Sequence, residues 1–181
     1  MWWRACIFVL ALLLPISAIA FTIEGTISIN GDPSVFYIDG YIDKNTFAYF
    51  KTRIRGVKTV VLDSPGGYVL PASKMARLIR KNKINTVVRS GGACFSACVL
   101  VFQSGINRIA SRNAVFMLHP AVLIIEGIII VDNLTTTRVK AQLIQYGMKR
   151  PALRHFYGNR DAFFNAAAAL SYGIATEIVE K

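Results

Sequence analysis

Apolar and polar positions divide the chain into short segments of alternating type. Residues 22–29 alternate apolar and polar side chains and run into Asn30-Gly31-Asp32, a turn signal, which predicts a strand. Residues 35–38 predict a second strand, closed by Asp39-Gly40. Asp43 is placed to cap a helix running to about Arg53, with Phe47 and Phe50 on one face. Residues 59–62 are continuously apolar, as a strand buried on both faces of a parallel sheet should be. The tight loop Asp63-Ser64-Pro65-Gly66-Gly67 follows. A helix then runs to about Lys81, with Ala72, Met75 and Ile79 on its buried side and Pro71 tolerated in its first turn. Residues 84–88 predict the next strand. Ser96 opens a helix that ends near Gly105. Residues 108–110 and 115–118 predict short strands, residues 133–146 a helix, and residues 161–172 contain the last helix. Strand and helix alternate through the centre, which predicts an α/β domain: a largely parallel sheet with surrounding helices.

The first twenty residues read differently. Arg4 precedes an apolar run from Cys6 to Leu14, Pro15 breaks it, and Ala18-Ile19-Ala20 forms a small-x-small cleavage site before Phe21. Residues 1–20 are therefore expected to be a signal peptide and residues 21–181 the domain, exported and periplasmic. The alternative is an uncleaved membrane anchor, for which the run falls short of the ~20 apolar residues of a spanning helix.

Two further runs, Val122-Leu123-Ile124-Ile125 and Ile128-Ile129-Ile130-Val131, flank Glu126-Gly127. They predict two strands joined by a tight turn. Because both are apolar at every position, a hairpin would bury one face and expose the other. An exposed apolar patch of that kind marks an interface, so self-association through residues 122–146 is expected. Packing inside the subunit, or lining a groove for an extended substrate, are the alternatives.

Charge adds a partner question. The chain carries 21 Lys and Arg against 10 Asp and Glu, a net charge of +11. The cations are scattered or lie on one helix face, as Lys74, Arg77 and Lys81 do, and no aromatic residues interleave with them as a stacking platform would need. Nucleic acid is not expected as a partner. A solvated face, or peripheral contact with an anionic membrane, is.

Candidate chemistry centres on Gly91-Gly92-Ala93-Cys94-Phe95-Ser96-Ala97-Cys98. An apolar strand leads into glycines and a serine, and a buried-looking segment follows, so one hydroxyl sits at a strand-to-helix junction. A helix N-terminus there can stabilise an oxyanion. His119 ends another apolar strand, so a nucleophile and a base are both present. Cys94 and Cys98 bracket Ser96. They are either a disulfide, plausible in an exported protein, or two small buried thiols. Two cysteines and one distant histidine do not match a zinc-ligand spacing, and neither metal nor cofactor is expected.

The order strand, Ser64-Pro65-Gly66-Gly67, helix, strand, glycine-rich loop with Ser96, helix, then Met117-Leu118-His119 resembles the ClpP/crotonase superfamily, most closely the ClpP-type serine protease. The similarity runs from about residue 35 to residue 179. The resemblance implies Ser96 as nucleophile, His119 as general base, and backbone N–H groups of Gly67 and Ala97 as the oxyanion hole. It also implies Asp161, in Arg160-Asp161-Ala162-Phe163 ahead of Tyr172-Gly173, as the residue that orients His119. The expected activity is hydrolysis of peptides or loosely folded proteins without ATP, by a homo-oligomer whose handle is the segment after His119. A non-catalytic binding or assembly module of the same fold, and a Ser-Lys hydrolase using Lys74 or Lys140, are the alternatives.

Overall fold

The computed structural model describes residues 31–156 and 160–180. The strand expected over residues 22–29 and the signal peptide lie outside these. The elements follow in the order β1 (Val35–Asp39), α1 (Lys44–Arg53), β2 (Thr59–Asp63), α2 (Val69–Lys81), β3 (Asn85–Val88), β4 (Ala93–Phe95), α3 (Ala97–Gln103), β5 (Arg108–Ser111), β6 (Val115–Leu118), β7 (Val122–Ile125), β8 (Ile128–Val131), α4 (Asn133–Gln145), a 3-10 helix (Arg150–Phe156), β9 (Ala162–Asn165), α5 (Ala166–Ser171) and β10 (Glu177–Val179).

Five strands form one parallel sheet in the order β1-β2-β3-β5-β10. Its side chains alternate as a pleat requires. Phe36, Ile38, Val60, Leu62 and Val88 are fully or almost fully buried, in one core with Phe50 of α1, with Ala72, Met75 and Ile79 of α2, and with Leu100 and Phe102 of α3. Helix α1 starts where expected: Asp43 accepts the N–H groups of Asn45 and Thr46, each at 2.8 Å. The Thr46 N–H, ahead of the other contacts, holds the Asp43 carboxyl below the usual carboxylate range.

A second, three-stranded sheet carries the chemistry-bearing segments. β4 pairs parallel with β6, and β6 pairs antiparallel with β9. β4 is only three residues long, and β9 occupies the first part of the stretch expected to hold the last helix. That helix is the shorter α5, capped by Asn165, whose side chain accepts the Ala168 N–H at 2.9 Å. Both strands exist because β6 lies between them and satisfies their backbone groups, a non-local effect that residue pattern does not report.

β7 and β8 form the expected hairpin, in register Val122↔Val131 to Ile125↔Ile128. Glu126 and Gly127 both have positive φ, 50° and 81°, as a type I′ turn demands. The hairpin buries neither face, however: it stands away from the body, with Ile124 71% and Ile129 69% exposed. Among the described residues, nothing in the subunit packs over these runs. Among the described residues, no helix is long and apolar enough to cross a membrane.

Candidate active site

The two glycine loops meet at the carboxyl ends of β2 and β4. Ser64 N–H donates to the Ala93 carbonyl at 2.8 Å, and Phe95 N–H donates to the Ser64 carbonyl at 3.0 Å. The Asp63 carboxylate also accepts the Ala93 N–H at 3.0 Å. Within the loop, the buried Ser64 hydroxyl accepts the Gly66 N–H at 3.1 Å. These contacts graft residues 63–66 onto β4 as an additional rung. Gly66 is required there: a Cβ built on it would lie 2.7 Å from the Phe95 carbonyl oxygen and 2.8 Å from Ser96 Cβ. Gly67 is packed as closely against Ile42, whose carbonyl oxygen would stand 2.2 Å from an added Cβ. Ser64 and Asp63 were not among the residues expected at the site. Their role depends on pairing with β4, a strand with no signal of its own.

Ser96 lies between β4 and α3 with φ 55° and ψ −122°. Such a conformation costs a residue with a side chain about 1–3 kcal/mol and persists only where its surroundings over-determine it. Two constraints do so. Ser96 N–H donates to the Met117 carbonyl at 2.8 Å, tying the turn to β6. Cys94 and Cys98 are joined by a disulfide, with sulfurs 2.00 Å and Cα atoms 5.2 Å apart, and both are fully buried. On the chain-entropy account, closing so short a loop is worth about 2 kcal/mol, comparable with the strain at the serine it encloses. The sequence leaves thiols and bridge open; the structure holds the bridge.

His119 follows β6 and reaches the same small cavity, of about 30 Å³, that Ser96 and Ala97 line together with Leu100, Leu118 and Phe156. Its Nδ1 stands 2.6 Å from the Pro120 carbonyl oxygen. A carbonyl can only accept, so Nδ1 is the donor in this contact and Nε2 is the ring nitrogen left for other partners. No hydrogen bond joins Ser96 Oγ to the imidazole; contacts of this kind commonly tighten as substrate closes on them. Neither of the two lysines considered as bases lines this cavity, although Lys140 approaches Phe156, which does. Lys74 Nζ stands 5.6 Å from the Phe47 ring centroid and Lys140 Nζ 5.7 Å from that of Phe156. His119 is the titratable side chain lining the Ser96 cavity among the described residues.

The backbone N–H groups of Gly67 and Ala97 find no hydrogen-bond acceptor among the described residues. Both belong to the two loops that the Gly66 contact holds together, and Ala97 opens α3, where the helix dipole adds positive potential. Unpaired backbone donors of this kind suit an oxygen that becomes negative.

Asp161 stands exposed at the start of β9. The antiparallel register pairs Leu118 with Ala162, so continuing it by one residue sets Asp161 opposite His119. The structure brings Ser96 and His119 onto one cavity and leaves the Asp161 carboxylate without a hydrogen bond to the imidazole. A brace links this segment to the nucleophile turn: the rings of Phe95 and Phe163 meet edge to face, centroids 5.8 Å apart.

Comparison with known proteins bears on this arrangement. A ClpP1 mutant from Listeria monocytogenes superposes with a TM-score of 0.64 at 20% identity, over 83% of this chain and 93% of that one. The catalytic domain of the ClpP protease from Plasmodium falciparum superposes with a TM-score of 0.63 at 19% identity, over 82% and 86%. No curated protein sequence matches the chain. Residues 52–181, which hold every element from the end of α1 onward, match the family model for Clp protease, and this chain belongs to that family of serine peptidases.

Proposed function

We propose that this protein is an exported serine peptidase that cleaves peptides or loosely folded proteins without ATP. Ser96 Oγ attacks the scissile carbonyl while His119 Nε2 takes its proton and returns it to the leaving amine. The N–H groups of Gly67 and Ala97 hold the oxyanion. Asp161 takes the Nδ1–H from the Pro120 carbonyl as the site closes, which keeps the tautomer and stabilises the imidazolium.

The observation that carries this reading is the meeting of Ser96, in its strained backbone conformation, with His119 at one cavity. The Ala97 N–H, unpaired among the described residues, adjoins the same serine, and the Gly67 N–H, also unpaired there, belongs to the loop packed against it. Export is supported by the apolar run and cleavage pattern of residues 1–20 and by the Cys94–Cys98 disulfide, since such bonds persist in oxidising compartments. Homo-oligomer formation through residues 122–146 is supported by the exposed hairpin and by family membership.

Labelling with a fluorophosphonate probe, followed by mapping of the modified residue, tests the chemistry. The wild type is expected to label at Ser96. Ser96→Ala and His119→Ala are expected to lose turnover by at least about a thousandfold. A folded protein that does not label would be a binding or assembly module instead.

A further inference from the structure

The parallel sheet gives the molecule two chemically different poles. At the carboxyl ends of β1 and β2 lie Asp39 and Asp63, paired in register, and beyond them the loops that carry the active site. At the amino ends lie the helix-to-strand crossings, two of which are strongly cationic. The first, from the end of α1 into β2, carries Lys51, Arg53, Arg55 and Lys58; the second, from the end of α2 into β3, carries Lys81 and Lys83. All six are exposed. The crossings are adjacent in space, because Thr59 pairs with Asn85 and the Asn85 N–H donates to the Lys58 carbonyl at 2.9 Å.

None of the six forms an ion pair; the salt bridge found among the described residues joins Arg112 to Glu180. Asp32, the carboxylate beside these crossings, is engaged by the N–H and hydroxyl of Ser34, both at 2.8 Å. Glu177 starts β10, two strands beyond β3. Six like charges at neighbouring crossings repel one another, and among the described residues no carboxylate pairs with them, although Arg53 sits over the Tyr49 ring. Sites of this composition are completed by an anionic surface.

The chain also enters the domain at this pole. Ser34 accepts the Lys58 N–H at 2.8 Å, so residue 31, where the described structure begins, lies beside the same crossings. The apolar run from Cys6 to Leu14 is joined to the domain here. Between Leu14 and Gly31 the chain can extend no more than roughly 60 Å.

We infer that the pole formed by Lys51, Arg53, Arg55, Lys58, Lys81 and Lys83 docks on the headgroups of an anionic lipid bilayer, which turns the active-site loops away from the membrane. The aromatic ring beside the patch, that of Tyr49, is already covered by the Arg53 guanidinium, 5.2 Å from its centroid. Docking is electrostatic and independent of Ser96 chemistry.

Sedimentation of the full-length chain with vesicles tests the inference. Vesicles of phosphatidylglycerol and phosphatidylcholine are compared with phosphatidylcholine alone, at low and high salt. The wild type is expected to prefer the anionic vesicles at low salt. The triple variant Arg55→Gln, Lys58→Gln, Lys83→Gln is expected to lower that partition by on the order of a hundredfold, about fivefold per charge. A variant with equal charge loss at the opposite pole, Lys44→Gln, Lys74→Gln, Arg89→Gln, is expected to keep most of it. Binding that ignores lipid charge would show that the N-terminal apolar run alone does the work and overturns the inference. Equal loss in both triple variants would show net charge rather than this pole, and overturns it too. Patch-dependent binding to duplex DNA without binding to vesicles would assign the surface to nucleic acid instead.

Discussion

Gly66 and Ser96 are in such close contact that no side chain fits between them: a Cβ on Gly66 would lie 2.8 Å from Ser96 Cβ. With φ at +104°, Gly66 also adopts a backbone conformation that disfavours other residues. The Gly66→Ala variant should therefore displace the loop from the serine. It is expected to lose about 1–3 kcal/mol of stability and to label with a fluorophosphonate at least about tenfold more slowly. Thermal melts and labelling rates measured on one preparation check this. Unchanged labelling would show that the loop does not shape the site.

The Cys94–Cys98 disulfide encloses Ser96 and, because its loop is short, contributes only about 2 kcal/mol to the whole fold. Removing it with Cys94→Ser and Cys98→Ser should leave most of the stability and relax the serine turn. Activity is expected to fall at least about tenfold while the melting temperature falls by only a few degrees. Free-thiol counting on unreduced, denatured wild type should find neither Cys94 nor Cys98 reactive. If activity survives in the double variant, the Met117 carbonyl alone is sufficient to hold the turn.

The hairpin of β7 and β8 exposes isoleucine on both faces. Light scattering at tens of micromolar should report an oligomer for the wild type. Replacing the cross-strand pair with Ile124→Lys and Ile129→Lys should shift it toward the monomer, since two charges would be buried unpaired at an interface. A wild type that remains monomeric removes this assignment.

Asp43 gives a pH-dependent test of the fold. The N–H groups of Thr46 and Asn45 favour its ionised form, so its pKa is lower in the folded chain than in the unfolded one. The contribution is thus complete above the unfolded carboxylate value near 3.8 and is lost as pH falls through the lower folded value. Asp43→Ala should cost about 1 kcal/mol at neutral pH. Denaturant midpoints of wild type and variant should converge in the acid range below about pH 4.

Elements with a local cause were legible in the sequence. Helix α2 runs to Lys81 with Ala72, Met75 and Ile79 buried, as its period requires, and α1 begins at its aspartate cap. The apolar run of β2 marks a buried strand before any neighbour is known. The serine, the histidine and both glycine loops were legible as well, through residue type and order.

Tertiary structure decided what depends on partners distant in the chain. β4 and β9 are too short to show a period and exist because β6 completes their ladders. Ser64 and Asp63 become parts of the site only when their loop docks on β4. The hairpin pattern predicted one buried face, yet among the described residues nothing covers either, because burial belongs to the surroundings of a strand and not to its side chains. Residue pattern pointed to Ser96 and His119, and the family resemblance to Asp161. Only the packing of three separate segments brought the first two onto one cavity and left the third at the strand end beside them, because hydrophobic pattern encodes which face is buried and not how far apart two loop ends will lie.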